Sequence, residues 1–406
     1  MAGLLVRVGV GVAAAATLFA GGATAAEAGT KITPETFGIH SNVQKPGVSA
    51  GAFRMACTPL WRQVELGRHS YDWRRFDFMV NRAHAWGYSD IMYTFCGTPT
   101  WAGKSVSRPT NEIFGPRSTS APAKMSYYRD YVTAVVKRYK GRITSYQAWN
   151  EITSPQFFQG TAKQMAKMTK ILNTVVAKYD PRATVVAASV QTHYDSYYQP
   201  MAPPYFKALK KLRWPVDVVA GHFYPAGKGG PDTRMQRIAM LQKDLRKYKK
   251  PRRVAMWDTE ANFWTSVPSK GIKGKVRGKK AATFLARNYL DTWRSGLKRS
   301  YWYIWTVGAQ DLNFPGVQLR TGDPATTAYN RLAAWTVGSR FSKCKTKGTL
   351  VRCSFRKGSS FEIAFTTKGK KRLKVKGSKT VTPVYGGGTK PAKRKTTITT
   401  LPVRIG

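Results

Sequence analysis

The sequence predicts a (β/α)8 TIM barrel followed by a small antiparallel β domain. Three observations carry that prediction. Eight short β-rich runs lie between residues 37 and 305, and segments with apolar residues at helical spacing separate most of them. Past Val337 the helical period stops, and the text turns to Lys, Gly, Thr and Val with apolar residues at alternate positions. The chain has 406 residues, 42% hydrophobic and 12% aromatic, which supports one large core with a small extra domain and excludes a disordered polycation. No GxGxxG follows the first run, which weakens a dinucleotide-binding reading.

Taken in order, the chain opens with a single cation, Arg7, and an Ala, Val, Gly and Leu run ending at Ala23, Thr24 and Ala25. This pattern predicts a signal peptide over residues 1–26. Gly21 and Gly22 break the run, which favours a cleaved leader over an anchor, and the protein is expected to be secreted and extracellular. No later stretch is long and apolar enough to span a bilayer.

The eight runs are Phe37–His40, Ala52–Met55, Asp90–Phe95, Ile143–Trp149, Thr184–Ser189, Val216–His222, Arg253–Glu260 and Ser300–Trp305. Helical spacing is clearest in Tyr128, Tyr131, Val132, Val135 and Val136, and again in Met165, Met168, Ile171, Leu172, Val175 and Val176. Further helices are predicted over Trp73–Trp86, Met235–Tyr248, Ala281–Ser295 and Thr326–Val337. The barrel is expected over residues 30–338 and the β domain over 339–406, where Phe361, Ile363 and Phe365, then Leu373 and Val375, alternate. Gly386, Gly387 and Gly388 read as a turn rather than a phosphate cradle, because no helix follows them.

An even count of four cysteines in an oxidising compartment favours two disulfides. Cys344 and Cys353 flank a turn at Gly348 and would staple a hairpin, while Cys57 and Cys96 follow two predicted strands and could bridge them. Neither CxxC nor HxxxH spacing is present, so no metal is expected.

Charge is the other conspicuous property. The chain holds 68 Lys and Arg against 20 Asp and Glu, and residues 341–406 hold 18 of those cations against one acid, Glu362. Such a field attracts any polyanion, whether nucleic acid, anionic glycan or lipid, and does not choose among them. A β domain of this size has too little core to stand alone. It is expected to brace the barrel, with adsorption to a polyanionic cell wall incidental.

In a barrel of this kind the chemistry sits where strands end, so the C-terminal ends of the eight runs are the places to search. The fourth ends in Trp149, Asn150, Glu151 and the seventh in Trp257, Asp258, Thr259, Glu260. Two carboxyl groups facing one another across a pocket suit glycosidic bond cleavage, one protonating the leaving oxygen while the other attacks or activates water. The sixth ends in His222, Phe223, Tyr224 and the second supplies Arg54. Tyr and Arg beside Glu260 would keep it ionised, whereas a desolvated Glu151 would stay protonated at neutral pH. Trp61, Trp101, Trp264 and Trp305 are expected at the same rim, where flat apolar faces suit sugar rings. Each residue alone has a plainer reading as a surface acid or core ring. It is their joint placement on one predicted face that argues for a site. His193 and Tyr194, after the fifth run, are read as satisfied structural residues.

At these residues the sequence resembles the retaining glycoside hydrolases of clan A. The text Thr98, Pro99, Thr100, Trp101, the helix start from Tyr71, Asp72 and Trp73 to Asp77, and the terminal β domain look most like family 39. The resemblance implies that Asn150 contacts the sugar 2-hydroxyl, Glu151 is the general acid/base and Glu260 the nucleophile. It also implies that Arg54, His222, Tyr224 and Trp305 line the subsite around the scissile bond; Trp101, from the aromatic cluster at the rim, is a further candidate substrate contact. The expected function is therefore a secreted retaining glycosidase acting on an oligo- or polysaccharide, without metal or organic cofactor. A basic loop after the seventh run, with Lys270, Lys273, Lys275, Arg277, Lys279 and Lys280, departs from the family and suggests an anionic glycan. Two rival readings are a noncatalytic carbohydrate or cell-wall binding protein on a barrel scaffold and a nucleic-acid binder. The intact Glu151, Glu260, Asn150 and Tyr224 argue against the first, and the second rests on charge alone.

Overall fold

The computed structural model describes residues 29–41, 44–104, 115–225, 229–263, 276–305 and 316–406. The expected signal peptide, Trp264 and the part of the basic loop holding Lys270, Lys273 and Lys275 lie outside the described residues.

Eight parallel strands close into a barrel: β1 (Phe37–Ser41), β2 (Ala52–Ala56), β3 (Asp90–Thr94), β4 (Ser145–Gln147), β5 (Thr184–Val186), β6 (Val218–His222), β7 (Ala255–Ala261) and β8 (Arg299–Trp305). Each pairs with its neighbour in sequence, and β8 pairs with β1 from Ser300↔Phe37 onward to complete the ring. The interior is filled rather than hollow: Ala52, Met92, Val186, Val218, Ala220, Trp257 and Tyr301 form a buried cluster contributed by six strands. All eight expected strands are present. β4 and β5 are shorter than their sequence runs because the chain leaves the ladder after Gln147 and Val186 to build the mouth of the barrel.

Among the described residues, seven helices of twelve or more residues cover the outside: α1 (Arg74–Ala85), α2 (Met125–Arg138), α3 (Ala162–Tyr179), α4 (Asp195–Lys211), α5 (Pro231–Lys247), α6 (Gly278–Arg294) and α7 (Pro324–Thr336). α3 starts on a reciprocal cap, in which Thr161 Oγ1 accepts the Gln164 backbone N–H at 3.2 Å and Gln164 Oε1 accepts the Thr161 backbone N–H at 2.7 Å. Such a cap contributes about 1 kcal/mol. α4 went unread in the sequence because Pro200, Pro203 and Pro204 lie within it and each removes an intrahelical donor. Its buried face of Tyr198, Ala202, Tyr205, Phe206 and Leu209 holds it to the barrel regardless.

The C-terminal strands are β9 (Arg340–Lys347), β10 (Leu350–Lys357), β11 (Ser359–Thr366), β12 (Lys371–Lys374), β13 (Thr380–Pro383), β14 (Lys390–Pro391), β15 (Lys395–Ile398) and β16 (Val403–Ile405). The main sheet is antiparallel, in the order β9-β10-β11-β16-β13-β14, and the segment Thr30–Lys31, ahead of the barrel, adds to its β9 edge. β12 and β15 form a separate ribbon. Trp293, near the end of α6, joins the two parts: it packs edge-on against Phe37 of β1 at 5.9 Å and Phe355 of β10 at 5.5 Å. Arg331 of α7 donates to the Pro383 carbonyl at 2.8 Å.

Both expected disulfides form. Cys344 and Cys353 face each other across the β9–β10 hairpin, and Cys57–Cys96 ties the end of β2 to the end of β3. Closing a loop of 39 residues stabilises the fold by about 4 kcal/mol in the chain-entropy account. No helix among the described residues is long and apolar enough to cross a membrane.

Candidate active site

The site is assembled at the C-terminal ends of the barrel strands, starting with a cation. Arg54 on β2 is fully buried, and its fork is divided between two strands: Nη1 donates to Glu260 Oε2 at 2.6 Å and Nη2 to Asn150 Oδ1 at 2.8 Å. The other oxygen of Glu260 accepts from Tyr224 Oη at 2.7 Å. Burial pushes the Glu260 carboxyl up. The imidazole of His222, the guanidinium of Arg54 and the two hydrogen bonds outweigh that, holding it well below the ordinary carboxylate range. Tyr224 is driven the opposite way by burial and by Glu260 beside it, so it stays a donor.

An irregularity in β7 decides which acid faces the pocket. The register with β8 shifts between Asp258 and Ala261, which turns Glu260 into the mouth. Asp258, two residues earlier, instead points outward to a buried pair with Arg234 of α5 at 2.7 Å.

Glu151 is held differently. It lies past the end of β4 in the left-handed region, with φ of 44°, and its backbone N–H donates to Ser189 Oγ at 2.9 Å. Such a conformation is costly for a residue with a Cβ and fixes the direction in which the side chain leaves the backbone. Its Oε1 meets His222 Nδ1 at 2.7 Å, and its Oε2 accepts from Gln191 Nε2 at 2.5 Å. Burial raises the Glu151 pKa above the ordinary value, and the hydrogen bond from His222 only partly offsets it. One pocket thus holds two carboxyl groups whose surroundings push them apart.

His222 stands between them, with Nδ1 at 3.9 Å from Glu260 Oε2. A polar chain lies beneath it and holds the ring in place. The Gln147 amide donates to the Ala187 carbonyl at 3.4 Å and to Thr259 Oγ1 at 3.2 Å, and its Oε1 accepts from Thr94 Oγ1 at 2.9 Å. Thr259 Oγ1 lies 3.1 Å from His222 Nε2, so both ring nitrogens of His222 are hydrogen-bonded, Nδ1 to Glu151 and Nε2 to Thr259. Glu151, His222 and Glu260 also place their liganding atoms within 4.8 Å of one another. Each of the four carboxylate oxygens already takes a hydrogen-bond partner, from Arg54, Tyr224, His222 and Gln191, an arrangement suited to orienting a pair of acid–base groups.

Arg54, Asn150, Glu151, His222, Tyr224 and Glu260 therefore meet in one network. The tryptophans do not all follow. Trp305, at the end of β8, is buried, and its Nε1 has no partner among the described residues. Trp101 is half-buried, donates to the Glu65 carbonyl at 3.2 Å and sits edge-on to Trp61 and Tyr127. Trp61 is not a rim residue: it is fully buried, stacked on Tyr131 at 5.1 Å and bonded to Glu65 at 2.6 Å.

Sequence reasoning missed Gln191 and misjudged His193. The two-residue strand Val190–Gln191 pairs with β6 and sets Gln191 opposite His222. His193, two residues on, lies edge-on to the Tyr224 ring at 5.6 Å. It is not satisfied as expected: its Nδ1 is buried without a hydrogen-bond partner among the described residues, and burial, with His222 nearby, lowers its pKa to about 4.

No protein-family model matches the chain, and no curated protein matches it in sequence. Solved structures do match in fold. A family 39 glycoside hydrolase from the gut symbiont Bacteroides cellulosilyticus is similar at a TM-score of 0.66 and 16% identity, over 92% of this chain and 82% of that one. A family 30 endoxylanase from Clostridium papyrosolvens is similar at 0.60 and 12%, over 93% and 97%. A family 44 endoglucanase from Clostridium thermocellum is similar at 0.56 and 12%, over 93% and 97%. The fold is that of these glycoside hydrolase barrels. The clan A resemblance read from Asn150, Glu151 and Glu260, and the family 39 resemblance read from Thr98 to Trp101, Tyr71 to Asp77 and the terminal β domain, agree with this fold.

Proposed function

We propose that the protein is a secreted retaining glycoside hydrolase in which Glu260 is the nucleophile and Glu151 the general acid and base. The observation that carries this reading is the pair of oppositely tuned carboxyl groups, whose nearest oxygens lie within 4.8 Å. A retaining mechanism needs the two carboxyl groups about 5 to 5.5 Å apart, whereas inversion needs about 6.5 to 9.5 Å to admit a water.

In the first step an ionised Glu260 oxygen bonds to the anomeric carbon as the glycosidic C–O bond breaks, and Glu151 delivers its proton to the departing oxygen. In the second, Glu151, now a carboxylate, takes a proton from water as that water's oxygen displaces Glu260 from the sugar. Arg54 and Tyr224 hold Glu260 ionised and aimed. Asn150, with Oδ1 taken by Arg54, turns its amide hydrogens to the 2-hydroxyl. Trp305, and Trp101 further out, supply apolar faces to the sugar. The two disulfides support an extracellular setting. The exposed Arg277, Lys279 and Lys280 at the start of α6 support an anionic glycan.

The test is a product screen of wild type and Glu260→Gln on neutral and anionic polysaccharides and aryl glycosides, read by mass spectrometry. Sugar release by wild type alone supports the hydrolase. Glycan binding by both without release would leave a noncatalytic binding protein.

A further inference from the structure

Between Lys368 and Lys395 the chain carries eleven Lys and Arg and no acid, and all eleven are exposed. The single acid of the terminal domain, Glu362, is already paired with Arg352 at 2.6 Å. None of the eleven has a carboxylate partner among the described residues. Strand pairing concentrates them: the β12–β15 ribbon turns Leu373 and Ile398 inward and sets Lys374 directly opposite Lys395. Like charges facing across an antiparallel pair oppose the ribbon's own stability, and an exposed Thr or Ser would fold as well there. Beside the ribbon lies a groove of about 410 Å³, with Val381, Pro391 and Val403 in its lining and Lys390, Lys393 and Lys395 along it.

The remaining features narrow the occupant. The four phenylalanines of the domain, Phe341, Phe355, Phe361 and Phe365, are buried, and Tyr385 is packed against the core, so bases have no stacking platform. Residues 340–406 contain no helix that could enter a major groove. None of the exposed large hydrophobic residues lies in this domain, so it has no apolar anchor for a bilayer. An apolar lining flanked by lysines instead matches an acidic pyranose chain, whose C–H faces are apolar and whose carboxylate or sulfate substituents are negatively charged.

We propose that this groove and ribbon form a second binding site, distinct from the barrel mouth, for an anionic polysaccharide strand. The site retains the protein on the polymer by charge and by sugar-ring contact, and it operates whether or not the barrel hydrolyses that polymer.

The experiment uses the full chain and measures binding to polygalacturonate, neutral dextran and duplex DNA at about 50 and 300 mM salt, between which the screening length shortens about 2.5-fold. Wild type is compared with Lys374→Gln/Lys393→Gln/Lys395→Gln and with Lys163→Gln/Lys167→Gln/Lys170→Gln, an equal loss of exposed charge on α3. The expected result is polygalacturonate binding that dextran does not reproduce, weakened at least tenfold by the groove triple and less than twofold by the α3 triple. Thermal melting checks the fold of both variants, and relief of the Lys374–Lys395 repulsion keeps the groove triple at least as stable as wild type. Equal losses in the two triples would reduce the effect to net charge and overturn the proposal. So would tighter groove-dependent binding of duplex DNA, or no polygalacturonate binding at low salt. Aryl glycoside turnover, run in parallel, reports on the barrel alone, so a failed hydrolase reading and a failed groove reading are told apart.

Discussion

Gln191 and His222 are direct partners in the parallel ladder, and their side chains close on the two oxygens of one carboxylate, that of Glu151. With its backbone already turned by a positive φ, Glu151 is fixed at both ends. A general acid so held delivers its proton along one line, and the first prediction tests that. Gln191→Leu removes one donor at nearly constant volume and is expected to lower kcat about 10- to 100-fold with little change in KM, since positioning acts mainly in the transition state. Losing a hydrogen bond to the ionised form also moves the basic limb of the pH profile upward. A change confined to KM, or an unmoved limb, would assign Gln191 to substrate binding.

Removing the acid itself has a graded signature. Glu151→Ala is expected to cost at least about 100-fold on a substrate with a poor, alkoxide-like leaving group, a typical acid–base contribution. An activated aryl glycoside, whose phenolate leaves unaided, should keep its first step and accumulate the glycosyl enzyme. Equal losses on both substrates, in rapid-mix kinetics, would remove Glu151 from the acid role.

The two carboxyl groups also set a pH window with worked signs. Glu260 is depressed, so activity falls in acid as it becomes protonated; Glu151 is raised, so activity falls toward alkaline pH as it ionises. Stability obeys the same linkage. A raised pKa contributes stability that is present below the unfolded value and lost as pH rises through the folded one. Glu151→Gln is therefore expected to raise the melting temperature at pH 7 to 8, by the equivalent of about 1 kcal/mol, and not at pH 4. Melting curves at the two pH values check it.

Much of this was readable from residue order. Strand ends locate chemistry in a parallel barrel, so Asn150, Glu151 and Glu260 mark a candidate site in the sequence, and Arg54, His222 and Tyr224 converge on the same network. What was not readable depended on departures from regular structure. Gln191 belongs to a two-residue strand too short to show a period, and α4 was masked by three prolines that tertiary packing overrides. Trp61 shows the opposite error. An indole near a strand end looks like a sugar platform, but only the fold reveals that Tyr131 and Glu65 already take its face and its N–H.

The last prediction concerns the acid that the β7 irregularity turns away from the pocket. Asp258 and Arg234 are both buried, and Arg234 also donates to Thr292 Oγ1 at 3.0 Å and to the Asn288 carbonyl at 3.3 Å, tying β7 and α5 to α6. Removing one partner strands the other charge out of water, which costs about 3 to 5 kcal/mol, whereas replacing both with well-packed apolar residues is often neutral. Asp258→Ala is therefore expected to lower the denaturation midpoint sharply, and Asp258→Leu/Arg234→Met to recover most of that loss. If turnover follows the folded fraction in both variants, Asp258 is structural; a folded double variant with no turnover would show that the pair also aims Glu260, two residues along the strand.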